Sequence, residues 1–261
     1  MIEYYVILVI YNKQIDDSIA YKSLQKAAKR SRNKVTFIIT DNSTDLDVKS
    51  LNHSSLCNDM YIDMQGNKGL SCAYNRAISQ IEKKAENWII TSDQDTIFPE
   101  SLFNELEQAI DAGNGKVYAP KVVNSYSQMS PFYLKFDFKP NIMRVINSGL
   151  AIRSDIFTTV RYNEDLFLDF VDYDFVNSLF QKNISIEVTD IRLYQDFSGT
   201  DFSNKSSAQK RHEIYLKDAT KYYMCWKHSI IAKRFYILKR TINLTLRFKS
   251  LSFFKLYTKN K

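Results

Sequence analysis

Three continuous apolar runs constrain this chain most: Val6–Ile10, Val35–Thr40 and Trp88–Ser92. They do not alternate with polar residues, which is how a strand reads when both faces of a parallel sheet are covered. The strands are expected over Glu3–Ile10, Val35–Thr40, Met60–Asp63 and Trp88–Ser92. Helical patterns fill Ile15–Ser31 and Leu70–Lys84, and Pro99 and Gly113 bracket another helix. The order β-α-β-β-α-β-α predicts an α/β fold, a mostly parallel central sheet flanked by helices. Further strands are predicted at Val117–Ala119, Val145–Ser148 and Ile184–Val188, and a helix at Asp172–Gln181. From Lys205 onward the chain reads as helical throughout.

The 261 residues, 44% of them hydrophobic, suffice for one large or two small domains. The expected division is a catalytic α/β domain over 1–204 and a helical, basic, amphipathic segment over 205–261. Three cysteines, Cys57, Cys72 and Cys225, are odd in number and far apart. That argues against a disulfide framework and fits a reducing cytosol. The N-terminus reads as the start of a strand, not as a signal peptide. No apolar run reaches 18 residues, so no spanning helix is expected.

Charge is distributed unevenly. Residues 205–261 hold 15 Lys+Arg and only two acids, Glu213 and Asp218, whereas the rest of the chain is net −6. After Asp218 there is no acid at all. Such asymmetry suggests a surface that meets an anionic partner.

The strand Ile89–Ser92 runs directly into Asp93-Gln94-Asp95. Ligands of open α/β sheets bind beyond the carboxyl ends of the strands. Strand side chains repeat every second residue, so Asp93 and Asp95 leave on the same side. Two such carboxylates suit a hard cation, Mg²⁺ or Mn²⁺, on a diphosphate. The plainer alternative is an N-cap cluster before Pro99. Gly66-x-x-Gly69 lacks the order of a dinucleotide fingerprint, and no Walker lysine motif is present.

The ordered set Ile10-Tyr11-Asn12, Asp41-Asn42-Ser43, Gly66-Asn67-x-Gly69 with Asn75, Asp93-Gln94-Asp95, Asn147-Ser148-Gly149 and Leu168-Asp169-x-Val171-Asp172-x-Asp174 resembles the family-2 glycosyltransferases. The nearest subgroup in pattern is the bacterial rhamnosyltransferase-like enzymes, whose late Arg-Tyr-Tyr signature Lys221-Tyr222-Tyr223 also resembles. The resemblance implies a GT-A fold, a dTDP- or UDP-linked sugar donor and inversion at the anomeric carbon. It places Tyr11 and Asp41 at the nucleobase, and Asn67 and Gly69 against the donor. Asp95 and Asp93 fall at the metal, Asp95 as the more direct ligand. It makes Asp172 the catalytic base, which accepts the proton of the attacking hydroxyl. Asp172 and Asp174 are two residues apart, so on a helix both cannot face one site. Asn147, Ser148, Gly149, Asp169 and Asp174 are candidates for the acceptor side. One departure stands out: relatives often carry a His-x-x-x-Gly stretch whose His completes the metal shell, and here that stretch is Gln195–Gly199.

In the tail, Ile231, Phe235, Leu238, Ile242 and Leu246 fall on one helical stripe, with Lys233, Arg240 and Arg247 on the opposite face. A basic amphipathic helix of this kind fits an anionic membrane surface, the protein's own core or a partner helix. The leading expectation is an inverting hexosyltransferase, rhamnose favoured, acting on a lipid-linked or growing cell-surface polysaccharide. It would work in the cytoplasm, peripheral at the inner face of the cell membrane. A non-catalytic sugar-nucleotide-binding relative is one alternative. A basic nucleic-acid-binding protein is another, disfavoured because the net-acidic region repels phosphate.

Overall fold

The computed structural model describes residues 2–56, 59–134, 142–195, 204–226 and 230–259, the side chains of 230–233 excepted. The strands are β1 (Glu3–Ile10), β2 (Lys34–Asp41), β3 (Met60–Asp63), β4 (Asn87–Asp93), β5 (Thr96–Ile97), β6 (Val117–Val123), β7 (Gln128–Ser130), β8 (Phe132–Tyr133), β9 (Met143–Arg144), β10 (Ala151–Arg153) and β11 (Glu187–Gln195). The helices are α1 (Ile19–Arg30), α2 (Leu46–Ser55), α3 (Leu70–Ile78), α4 (Leu102–Ala112), α5 (Val171–Gln181), α6 (Lys205–Cys225), α7 (Ile230–Phe248) and α8 (Ser252–Lys259).

The main sheet runs β3-β2-β1-β4-β10-β6-β11-β5, with β7 on the side of β6. The first four strands in this order pair in parallel, with Ile7 opposite Ile38 on one side and Thr91 on the other. Strand β10 then enters antiparallel between β4 and β6, so the sheet is mixed. Strand β1 shows why the continuous run is needed. Tyr4, Val6, Leu8 and Ile10 point into a core with α1 and α4, and Ile7 and Val9 point into a second core with α3 and α5. That second core also takes in Tyr215, Leu216, Ala219, Tyr222 and Tyr223 of α6 and Ile237 of α7.

Several predicted elements are displaced. The first helix opens with a separate 3₁₀ turn, Ile15–Asp17, and α1 then starts at Ser18, whose side chain accepts from the Tyr21 amide. Helix α3 stops at Ile78, short of Lys84. Val145–Ser148 is not a strand. Strands β9 and β10 flank it, and Asn147–Gly149 instead forms a tight turn in which the Gly149 amide donates to Thr91 O at 2.7 Å. The strand predicted at Ile184–Val188 sits later, as β11. Helix α2 was not anticipated. It buries only Asn52 and leaves Leu46 and Leu51 exposed, so it carries almost no apolar period.

Candidate active site

The motif residues meet beyond the carboxyl ends of β1, β2 and β4, and backbone turns tie them together. Asn12, left-handed at φ 46°, donates its amide to Ser43 Oγ, and its side chain accepts from the Thr44 amide. Asn42 joins the same assembly to the Gly66–Gly69 turn: its Oδ1 accepts from the Lys68 amide and its Nδ2 donates to Gly69 O, each at 3.1 Å. Tyr11 donates its amide to Gln94 Oε1 at 2.9 Å, which fastens β1 to the Asp93-Gln94-Asp95 turn and leaves its ring exposed.

Asp41 is fully buried, and its carboxylate is heavily engaged. Oδ1 accepts from the Ser43 amide, and Oδ2 accepts from Asn52 Nδ2 and the Tyr61 hydroxyl, both at 2.9 Å. Asn67 forms a side-chain turn, its Oδ1 accepting from the Gly69 amide. Gly69 has φ 86°, and a Cβ there would meet Phe167 O at 2.5 Å, so the position admits only glycine.

Asp93 ends β4, with its amide donating to Ser148 Oγ and its carboxylate accepting from the buried Tyr74 hydroxyl at 3.4 Å. Burial, reinforced by the neighbouring Asp95 charge, pushes the Asp93 carboxyl up to about 6. Asp95 Oδ1 accepts from Gln195 Nε2 at 3.0 Å, while Gln195 Oε1 is buried without a hydrogen-bond partner. Two repelling carboxylates and an orphaned amide oxygen make an all-oxygen donor set, which fits Mg²⁺ or Mn²⁺. Among the described residues no group of three or more His, Cys, Asp or Glu stands together as a ready metal cluster. His212 is buried against Thr241 on α7 and Phe253 on α8, where desolvation pushes it down to about 4. Of the Gln195–Gly199 stretch, only Gln195 is among the described residues.

A cavity of about 410 Å³ opens beside Asp93 and is lined by Asn147, Asp169 and Asp172. Aliphatic side chains and a set of rings form its other walls, the rings being Phe170 at the N-cap of α5, Tyr173 in its first turn, and Tyr215, Tyr223 and Tyr236 from α6 and α7. Arg211 and Arg240 also line it. Asp172 lies in the first turn of α5, and burial is the chief cause pushing it up to about 7, with the charges of Asp93 and Asp169 adding to the effect. The bond it accepts from the Tyr173 amide opposes that rise.

Not every candidate reaches the cavity. Asp174 is turned away and buried, accepting from Trp226 Nε1 at 2.6 Å. Ser148 is buried under the β4 end, bonded to Thr96 Oγ1. Gly149, at φ 86°, would drive a Cβ to 2.2 Å from Leu193 Cδ1, so its place is packing. Asn75 bonds Tyr162 O and Glu164, remote from the cavity lining. Within the tail, Arg240 lies over the Tyr215 ring at 4.2 Å and faces the cavity rather than open solvent.

Sequence inspection missed Asp218, Arg211 and Tyr74. Asp218 did carry a signal: it is the last acid before a stretch with none. A carboxylate at the head of so long a basic stretch is expected to have specific donors.

The model of glycosyl transferase family 2 matches residues 5–167. No curated protein matches the sequence. Among solved structures, S. aureus TarS residues 1–349 is similar at TM-score 0.55 and 18% identity, over 96% of this chain and 73% of that one. The same protein in complex with UDP-GlcNAc is similar at TM-score 0.54 and 17% identity, over 96% and 74%. S. aureus TarS in its longer form gives 0.54 and 19%, and there this chain covers only 44% of the other. At such identities the likeness is one of fold.

Proposed function

The chain belongs to glycosyl transferase family 2, and on that premise we propose that it transfers a sugar from a nucleoside-diphosphate donor to a lipid-linked or growing cell-surface polysaccharide, inverting the anomeric carbon. Rhamnose from a dTDP donor is the favoured cargo, after the subgroup its motifs resemble. A UDP-linked sugar is the alternative, and the UDP-GlcNAc complex of the structural neighbour supports it.

The observation that carries this reading is the cavity shared by Asp93, at the end of β4, and Asp172, at the start of α5. The acceptor hydroxyl oxygen attacks the anomeric carbon from the face opposite the diphosphate. The bond from that carbon to the diphosphate oxygen breaks, its electron pair departing with the nucleotide, and the hydroxyl proton passes to Asp172. A carboxylate held near 7 is a stronger base than an ordinary one and is still about half ionised at neutral pH.

On the donor side, the exposed ring of Tyr11 meets the nucleobase and the buried Asp41 holds the turn beneath it, Asn67 and Gly69 bring backbone to the diphosphate sugar, and Asp93 and Asp95 stand at the phosphates. A bound Mn²⁺ or Mg²⁺ would be held by Asp95 and Asp93 beside Gln195 Oε1, and supplies neutralisation of the charge on the departing diphosphate. Asn147 and Asp169 offer hydrogen bonds to the acceptor, and Tyr215 and Tyr223 offer stacking faces to a sugar. Ser148, Gly149 and Asp174 serve by holding these groups in place.

No described helix is long and apolar enough to cross a membrane. Helix α7 packs inward through Ile237, Thr241 and Leu244 and leaves Phe235, Leu238, Ile242 and Leu246 exposed. Lys239 stands beside this outward stripe. The outward stripe supports a peripheral position against an anionic lipid surface. The 205–261 segment then has two roles, one wall of the acceptor cavity and the membrane contact.

A panel of dTDP- and UDP-linked sugars, each with and without Mn²⁺, tests the donor in a thermal-shift assay. The true donor stabilises the native state by mass action, so one sugar nucleotide should stand out and do so only with the metal. A flat response across the panel removes the transferase reading.

A further inference from the structure

The base-bearing loop is gripped from two sides. The segment Phe167–Asp169 runs into α5 through Phe170, a residue held left-handed at φ 64°. That conformation is costly for a bulky side chain and persists only where its surroundings over-determine it. From α6, the buried carboxylate of Asp218 accepts three successive amides: Phe167 at 3.1 Å on Oδ1, and Leu168 at 2.8 Å and Asp169 at 2.9 Å on Oδ2. Arg211, two turns earlier on α6, donates from Nη1 and Nη2 to the two carboxylate oxygens of Asp169. From the opposite side, Phe167 O accepts from the Leu70 amide at 2.7 Å, at the point where α3 leaves the Gly66–Gly69 turn, and it fills the space a Gly69 side chain would occupy. Phe170 itself stacks on Tyr222, centroids 4.9 Å apart.

We propose that Asp218 is a positioning residue for the transfer step: by holding Phe167–Asp169 it fixes Asp172, and through Phe167 O it couples the donor turn at Gly69–Leu70 to the base. This rests on Asp172 being the base. The chemistry of the anchor is specific. Three converging N–H donors need an acceptor with lone pairs on both oxygens, which a carboxylate supplies and an amide does not. In Asp218→Asn one NH₂ must face at least one backbone N–H, so the loop loosens while the shape of α6 is kept.

The test compares wild type with D218N in steady-state transfer kinetics and in amide hydrogen exchange. The expected result is a kcat lowered about tenfold or more by misplacement of the base, with the donor KM within about twofold, and loss of protection over 163–172 while β1 and β4 keep theirs. A role in stability alone predicts unchanged kcat per folded molecule, the apparent rate falling only in proportion to the folded fraction at unchanged KM, and that result overturns the proposal. Loosened amides with unaltered kcat overturn it as well. If D218N does not fold, wild type decides. UDP or dTDP with Mn²⁺ should raise protection at Phe167–Asp169 through the Leu70 contact, and protection confined to 66–70 overturns the coupling. Should wild type transfer no sugar from any donor, the transferase reading fails by itself, and the exchange measurements still decide whether nucleotide and base loop are linked.

Discussion

The proposed donor side and the proposed acceptor side of the site are built by different means. On the donor side, short turns at the ends of β1, β2 and β4 bond to one another through Asn12, Asn42, Ser43 and Gln94, all within a few residues of a strand. On the acceptor side, α5 is held by a helix from the far end of the chain, through Asp218, Arg211 and the packing of the Phe170 ring on Tyr222 and Tyr215. The first is a property of strand ends, rigid because the sheet is rigid. The second depends on distant pieces staying docked. Donor binding should therefore survive damage that stops transfer.

The sharpest break between the two sides is Asp172→Asn. It should leave fold and donor affinity intact and lower transfer by ~10²-fold or more, the scale of a lost general base. Near-normal turnover would end the assignment. Asp174→Asn should instead weaken stability, because its partners are Trp226 and Asn163 and not the cavity.

Asp95→Ala, or EDTA on wild type, should act on the other side. Donor affinity is expected to fall by ~10–100-fold, the range seen when support for a bound metal is disturbed. Isothermal titration with the donor checks this, and undiminished affinity in both cases would remove the metal from the donor site.

The pH profile joins the two regions, because Asp172 and Asp93 share the cavity. With Asp172 near 7, the rate should rise with pH and level off above it, and at pH 6 it should be about a tenth of the plateau. That limb should vanish in D172N. Stability moves the opposite way. Both carboxyls bind their protons more tightly folded than unfolded, so their contribution favours the fold at acid pH. It is lost as pH rises from the ordinary value of 3.8 toward about 6 for Asp93 and about 7 for Asp172. Melting temperatures across pH 4 to 8, with and without Mn²⁺ and nucleotide, measure it.

The smallest effect is expected at the outward stripe. Leu238→Ser with Ile242→Ser should weaken co-sedimentation with anionic vesicles by about 1 kcal/mol, roughly fivefold, and leave transfer to a soluble acceptor unchanged. Ending the chain near Lys227 is a poorer test, because Ile237 belongs to the core beneath the sheet.

The same contrast explains what the sequence disclosed. The buried parallel strands were legible because burial on two faces leaves no room for polar residues. Their terminal motifs were legible because turn chemistry is local. Helix α2 was silent because Asn52, its one buried residue, is polar. Strand β11 was placed too early because its inward positions begin with the polar Glu187 and Thr189, and only Ile191 and Leu193 bury apolar side chains. The three bonds to Asp218 span 49 to 51 residues of chain, beyond any local pattern, and the family match itself ends at Phe167. Candidates Ser148, Gly149 and Asp174 show the converse. Each sits in a motif, yet each touches protein where a substrate contact was expected.

Helix α7 also sets a length scale. Its outward stripe from Phe235 to Leu246 covers about 16 Å of helix, and Arg240, on the same helix, lines the cavity. A helix with its side chains is only ~10–12 Å across. With the stripe lying on lipid, the sugar-accepting hydroxyl would be processed about one helix diameter above the headgroups. On the proposed membrane-bound reading such a geometry would act as a ruler: it would favour acceptors whose growing end stays close to their lipid, and work against long chains that carry that end into bulk solvent.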